Sequence, residues 1–251
     1  MKLIKLDIEY RPKVWGQELV FINNTDITGE NAPLLVKIIE ANENLSYQIH
    51  PNTSIYPDNS VSGNKDEVWY ILSAQENSKI GLGLHNDLDY HLEFTNGNVD
   101  KVVQHHSVST GDFAFIESGT VHMLGGGISV LEIQQNNDIT YRLYDYNRGR
   151  ELDLEKGLNN LHINNSSFIQ KKDYFKFTNQ HFEIKKYVSK GKIYIDNSNS
   201  PYFYLIPITG NASILSNGTP TPLENLQCYL ISHTHLLRLD GECSFIIARP
   251  K

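Results

Sequence analysis

Residues 111–122 read Gly111-Asp112-Phe113-Ala114-Phe115-Ile116-Glu117-Ser118-Gly119-Thr120-Val121-His122. This is the pattern of a strand, a glycine turn and then a histidine. Two further stretches carry compatible chemistry. Gln48-Ile49-His50 ends a predicted strand, and alternation puts Gln48 and His50 on one face, ~7 Å apart, close enough to reach one ion. Gly63-Asn64-Lys65-Asp66-Glu67-Val68-Trp69-Tyr70 is a turn leading into a strand and sets Glu67 at the strand's beginning. Two imidazoles, a carboxylate and an amide oxygen suit a borderline divalent ion such as zinc. Such a donor set also leaves room for a water or a substrate.

Working outward, the apolar residues fall in short runs separated by Asn, Asp, Gly, Ser and Pro, the pattern of strands and turns. Strands are expected over 34–41, 47–50, 68–73, 79–84, 113–116, 129–134 and 139–144. From Arg150 to Leu161, Leu154, Leu158 and Leu161 recur at helical spacing with acidic residues early, which predicts a short helix. Strands resume over 182–188, 191–195, 202–207, 212–215, 227–232 and 244–248. An all-β chain with strands on both sides of one connecting helix predicts two β-barrels or sandwiches. Asn, Ser and Lys accumulate near 163–178, so the expected domains are residues 1–165 and 166–251.

The chain has 251 residues, 39% hydrophobic and 20% charged, with a net charge of −7. These proportions belong to a globular protein and exclude wholesale disorder. Lys and Arg are scattered, so no basic stripe is present to hold a nucleic acid or an anionic membrane. No apolar stretch is long enough to span a bilayer as a helix. Met1 to Tyr10 alternates charged and apolar residues and lacks a signal-peptide core. Two cysteines, Cys228 and Cys243, make no disulfide framework, so a cytoplasmic location is expected.

Taken together, the spacings resemble the two metal motifs of the cupin superfamily. Gly111, Gly119 and His122 stand at the places of the second motif, with Glu117 where proline is usual. In the first motif the common His-x-His has become Gln48-x-His50, and Glu67 lies seventeen residues on, beyond a loop. Gln-x-His-Pro, Lys-x-Glu followed by Val-Trp-Tyr, and Gly-Thr-Val-His resemble class I mannose-6-phosphate isomerase. The segment Leu131-Glu132-Ile133-Gln134-Gln135-Asn136-Asn137-Asp138-Ile139-Thr140-Tyr141-Arg142-Leu143-Tyr144-Asp145 looks like that family's signature. Val14-Trp15-Gly16 and Arg150-Glu151-Leu152 look like the family as well. The likeness is specific from about residue 10 to 160 and diffuse beyond.

The resemblance implies a two-cupin architecture with the site in the N-terminal cupin and a metal-free C-terminal one. It implies one zinc ion per chain, bound by Gln48, His50, Glu67 and His122, with Arg142 as the active-site arginine and Glu132 and Lys65 facing a sugar phosphate. The implied reaction interconverts mannose 6-phosphate and fructose 6-phosphate through an enediol(ate). Glu132, Lys65 and His50 are all candidates to carry the proton, and Lys65 is equally suited to hold the phosphate. Two other readings remain: an isomerase or epimerase for another phosphorylated sugar, and a metal-binding cupin without turnover. Aspartate at 66, where Thr, Ser or Pro is more usual, and glutamate at 117 bear on the shape of the sugar pocket. The oligomeric state is not legible.

Several of these residues have an ordinary alternative. Arg142 has Asp138 and Asp145 nearby as ion-pair partners, and Glu132 lies opposite in phase to Leu131 and Ile133, so its face depends on register. Trp69 and Tyr70 read as core. His233-Thr234-His235 has no accompanying carboxylate and reads as a decoy. Adjacent His105 and His106 point to opposite faces of a strand. Gly125-Gly126-Gly127 reads as a tight hairpin after His122.

Overall fold

The computed structural model describes residues 1–53, 63–86, 88–171, 174–216 and 219–251. Its first strands are β1 (Lys2–Lys5), β2 (Ile8–Lys13), β3 (Gly16–Phe21), β4 (Leu34–Ala41), β5 (Tyr47–Ile49), β6 (Glu67–Ala74) and β7 (Lys79–Leu84). Next come β8 (Val103–Ser107), β9 (Phe113–Ile116), β10 (His122–Leu124), β11 (Ile128–Gln135), β12 (Tyr141–Tyr144), β13 (Phe168–Gln170) and β14 (Lys176–Thr178). The last are β15 (Phe182–Asp196), β16 (Tyr202–Gly210), β17 (Ala212–Ser216), β18 (Thr219–Leu223), β19 (Tyr229–Ser232) and β20 (Leu236–Pro250). Among the described residues the short helices are α1 (Thr25–Thr28), α2 (Tyr90–Thr95), α3 (Val99–Val102) and α4 (Leu154–Asn159). The all-β expectation holds, and α4 falls inside the predicted helical stretch. The other three helices are not expected from the sequence: α1 and α3 have four residues each, too few to leave a helical period, and in α2 the apolar Tyr90, Leu92 and Phe94 recur two apart instead of at helical spacing.

The chain divides into two compact units. One comprises Tyr10–Val20 and Val36–Asp173, and it contains all the candidate site residues. Two sheets build it: a five-stranded one in the order β12-β5-β10-β7-β8 and a seven-stranded one in the order β13-β9-β6-β11-β4-β3-β2. Their facing sides share a core in which Ile80, Leu82 and Leu124 meet Ile39, Trp69, Ile71, Ala114, Ile116 and Val130. Each buried Ile, Leu or Val there contributes roughly 1.5–3 kcal/mol relative to exposure.

The outer side of the five-stranded sheet is apolar too. Tyr47, Ile49, Val121, Met123 and Leu143 pack there with Phe94, Val99, Val102, Leu154 and Leu158 from the helices. Asp89 caps α2, its Oδ1 accepting from Leu92 N at 3.0 Å. Because side chains alternate, fixing Tyr47, Ile49, Met123 and Leu143 outward turns Gln48, His122 and Arg142 inward.

Gly125 to Gly127 does not close a hairpin within one sheet, since β10 and β11 belong to different sheets. A Cβ on Gly125 would stand 2.2 Å from Lys79 O, and one on Gly126 3.0 Å from Asn42 O. Gly125 and Gly126 therefore let the chain cross between sheets with backbone pressed on backbone, and Gly127, at a φ of +79°, lies against the side chains of Gln75 and Ser78.

The second unit comprises Met1–Glu9, Phe21–Leu35 and Tyr174–Lys251. Its eight strands run β1-β19-β16-β20-β15-β14, with β17 joining β20 and β18 joining β17. Phe203, Leu205, Ile214, Ile231, Leu239, Phe245 and Ile247 form its core. Where the sequence reading draws one cut at residue 165, the compact units place two early segments, Met1–Glu9 and Phe21–Leu35, with the C-terminal one. The reason is long-range pairing: β1 lies antiparallel to β19, Leu3 opposite Ile231. Among the described residues no helix is long and apolar enough to cross a membrane.

Candidate metal centre

Three neighbouring strands of the five-stranded sheet align Arg142 with Gln48 and Gln48 with His122. His50 follows β5 immediately, and Glu67 opens β6 in the facing sheet. The outcome is a buried cluster of His50, Glu67 and His122 whose ligand atoms all lie within 4.8 Å of one another. His50 Nε2 is 2.9 Å from Glu67 Oε1, and His122 Nε2 is 3.7 Å from Glu67 Oε2. Gln48 Nε2 lies 3.1 Å from His122 Nε2.

The partners of the other ring nitrogens fix what these atoms carry. His50 Nδ1 lies 3.1 Å from Ile139 O, and His122 Nδ1 2.9 Å from Thr120 O. A carbonyl only accepts, so each Nδ1 holds the hydrogen and each Nε2 keeps a lone pair. Burial, joined by the Lys65 charge, pushes His50 down to about 3. Burial likewise lowers His122. Both rings are therefore neutral near pH 7. Burial opposes ionisation of Glu67, yet the positive charge beside it outweighs this and holds the carboxyl well below its usual range. Since a neutral His50 supplies no charge, Lys65, whose Nζ is 3.3 Å from Glu67 Oε1, is the cation that keeps Glu67 ionised.

Buried lone pairs of the histidines and Glu67 thus converge with no hydrogen between them, and among the described residues His50 Nε2 and Glu67 Oε2 have no hydrogen-bond partner. Such atoms are costly to leave unsatisfied. A divalent cation satisfies them all, so the residues present fit a metal. Turning the Gln48 amide over gives its oxygen to the cluster and its Nε2 to Ser46 Oγ, which now lies 3.3 Å from Oε1. Both orienting carbonyls are of the kind that fixes the tautomer of a metal-bound histidine.

Glu132 faces inward opposite Trp69 on β6, and Trp69 Nε1 donates to its Oε2 at 2.7 Å. Lys37 Nζ lies 2.7 Å from Glu132 Oε1 and 3.7 Å from Glu18 Oε1. Burial and the nearby Glu67 charge push the Glu132 carboxyl up, against Lys37 and Lys65. Burial pulls Lys37 down, but Glu132, Glu18 and Glu67 outweigh it and leave the ammonium above its ordinary value. Sequence reasoning missed Lys37 and Glu18. The readable signal was a lysine inside β4, where apolar residues of both parities demand burial on both faces.

Arg142 is half-buried, and its Nε has no hydrogen-bond partner among the described residues. Asp145, its expected ion-pair neighbour, is engaged instead by Arg150, with Nε to Oδ2 at 2.7 Å, and by Arg148 at 3.6 Å. The decoys separate cleanly. His233 is bound to Ser232 Oγ at 2.8 Å and adopts a φ of 54°, so it does not continue a strand. His105 reaches Tyr47 OH at 2.9 Å while His106 turns to Leu82 O at 3.3 Å. Among the described residues, His50, Glu67 and His122 are the one cluster with metal-ligand geometry.

The sequence is 42% identical over 148 residues to mannose-6-phosphate isomerase ManA of Bacillus subtilis (strain 168). It is 28% identical over 242 residues to a protein of the same organism named "Probable mannose-6-phosphate isomerase GmuF". The chain is related to the mannose-6-phosphate isomerases. The ManA match takes in 56% of this chain and 44% of ManA, so the chain spans less than half the length of that relative. The GmuF match takes in 88% of this chain and 76% of that protein. No protein-family model matches. In fold, the chain superposes on the crystal structure of a mannose 6-phosphate isomerase from Bacillus subtilis with a TM-score of 0.83 at 22% identity, covering 99% of this chain and 100% of the other. The mannose 6-phosphate isomerase of Salmonella typhimurium in its apo form gives 0.72 at 12% identity, covering 100% of each. At these identities the structures speak for the fold, which is the cupin-like architecture expected.

Proposed function

We propose that this chain is an aldose–ketose isomerase that interconverts mannose 6-phosphate and fructose 6-phosphate, with the unit carrying His50, Glu67 and His122 as its catalytic domain and the other as a metal-free support. The observation that carries the reading is the set of converging, proton-free ligand atoms, backed by the names of the relatives. Gln48, His50, Glu67 and His122 would hold one zinc ion, the choice of metal following from two imidazoles, a carboxylate and an amide oxygen. Bound there, the ion would supply Lewis acidity to the negative charge that develops on the sugar oxygens.

The chain's own residues account for the rest. Isomerisation moves a proton between C2 and C1 through an enediol(ate), so a group must take up a proton and return it. Glu132 suits that role, because burial beside Glu67 raises its affinity for a proton. His50 does not, since its Nδ1 hydrogen is held by Ile139 O and its Nε2 lone pair faces the cluster. Lys65 and Arg142 supply positive charge on the substrate side: Arg142 as a rigid donor fork, Lys65 as a point charge. Buried walls on both sheets exclude water and strengthen these interactions.

The test is a coupled assay of metal-analysed protein with mannose 6-phosphate and with mannose. Remote binding energy from the phosphate positions the reacting end, so kcat/KM should be far higher for the phosphorylated sugar. Equal values for the two sugars would reject a sugar-phosphate isomerase.

A further inference from the structure

The ladder between β6 and β9 ends with Glu67 opposite Ile116. Beyond that pair, residues 65–66 and 117–120 have no strand pairing among the described residues to hold them in register. Side chains take over. Asp66 Oδ1 accepts from Ser118 N at 2.9 Å and from Ser118 Oγ at 2.8 Å. Ser118 Oγ in turn accepts from Lys65 N at 2.7 Å. The same short segment reaches the remaining ligand strand: Asn52 Nδ2 donates to Ser118 O at 2.8 Å, and Gly119 N donates to His50 O at 3.1 Å. Asp66 is also fastened to β11, its N donating to Gln135 Oε1 at 2.9 Å and its O accepting from Gln135 N at 3.0 Å.

Ser118 is 1% exposed and Asp66 7%, so these bonds are shielded from competing water. All three segments that carry the candidate ligands therefore meet at one serine, and Gly119 beside it has a φ of +86° with Asn160 O where a Cβ would fall. The geometry points to Asp66 and Ser118 as positioning residues. Together they set the distance of the Glu67 carboxylate and the Lys65 ammonium from His50 and His122, and so the metal affinity of the site. This rests on the metal-site reading above, and it gives a purpose to an aspartate that replaces the more usual residue.

The test measures zinc affinity by competition with a chromogenic chelator, together with the visible spectrum of the cobalt-substituted protein and the melting temperature of the metal-free form. Outer partners of ligands typically change metal affinity by ~10–100-fold. Ser118→Ala and Asp66→Ala should each weaken zinc by about that factor and alter the cobalt bands. Asp66→Asn, which keeps an acceptor oxygen facing Ser118, should recover most of the affinity. The double variant should cost little more than either single change, because the two residues act as one unit. Should the alanine variants fail to fold, Asp66→Asn and Asp66→Thr carry the same comparison. Variants that melt lower without metal yet bind zinc with wild-type affinity and spectrum would overturn the positioning role alone. A wild-type protein that binds no divalent ion would remove the metal-site reading, and this inference with it.

Discussion

His50 Nε2 and Glu67 Oε1 stand 2.9 Å apart while the other nitrogen of that ring faces Ile139 O at 3.1 Å. An imidazole has one hydrogen when neutral, and here it is already given to the carbonyl. The contact between His50 and Glu67 is therefore a meeting of lone pairs that a cation can bridge. Replacing His122 by alanine should abolish metal retention, because it removes one of the two imidazoles and leaves His50 and Glu67 with only the weak amide ligand Gln48. Replacing His233, which binds Ser232 Oγ in the other unit, should leave it intact. Elemental analysis of both purified variants gives the answer, and the opposite order would sink the assignment.

The same relationship fixes a pH dependence for the metal-free protein. The folded-state value of His50 lies at about 3, below its ordinary 6.5, because burial disfavours the charged ring. Between those values the unfolded chain binds more protons than the folded one, so stability rises with pH and is lost as pH falls. Glu67, also depressed, acts in the same direction at lower pH. At roughly 1.4 kcal/mol per unit, His50 alone is worth a few kcal/mol. Melting of chelator-treated protein should drop steadily from about pH 7 to about pH 4. His50→Gln should flatten that slope; an unchanged slope would mean that His50 is not the buried neutral group described.

Lys37 answers for two carboxylates, Glu132 at 2.7 Å and Glu18 at 3.7 Å. Removing one partner of a buried pair strands the other charge, so Lys37→Met should destabilise the protein by about 3–5 kcal/mol. Adding Glu132→Gln removes the stranded charge and keeps an acceptor for Trp69 Nε1, so the double variant should regain much of that loss. Denaturant titration of the four proteins in the cycle measures it. An additive result would show that Lys37 and Glu132 do not depend on each other.

Arg142 has no partner for its Nε among the described residues and cannot be a metal ligand, because a guanidinium offers no free lone pair. Arg142→Ala should therefore leave zinc content and melting near wild type and cost roughly two to three orders of magnitude in turnover, as expected for one preorganised electrostatic group. Arg142→Lys should recover only part. Zinc stoichiometry, melting and kcat on the same preparations separate the outcomes: near-full turnover would make Arg142 structural, and loss of zinc would make it a prop of the metal site.

What was legible in the sequence was local. Two-residue alternation puts Gln48 and His50 on one strand end, and a glycine turn places His122. Glu67 at a strand start follows from the turn before it. What was not legible depends on distant pairing. Nothing near Leu3 announces that it will lie opposite Ile231, and so the early segments of the C-terminal unit escape a reading that moves along the chain. The face of Glu132 likewise needed the register with Trp69, which no local pattern contains. Asp66 and Glu117 showed only as departures from a motif. The structure gives each a partner, Ser118 for Asp66, and the 166–167 backbone and side chain for the Glu117 residue.

The most direct test of the proposed activity follows mannose 6-phosphate by proton NMR in deuterium oxide with wild-type protein of known zinc content. The account predicts that fructose 6-phosphate forms, with deuterium entering at C1 of the ketose or C2 of the aldose, and that chelation stops both while zinc restores them. A zinc-loaded protein that yields neither ketose nor exchanged sugar would contradict it.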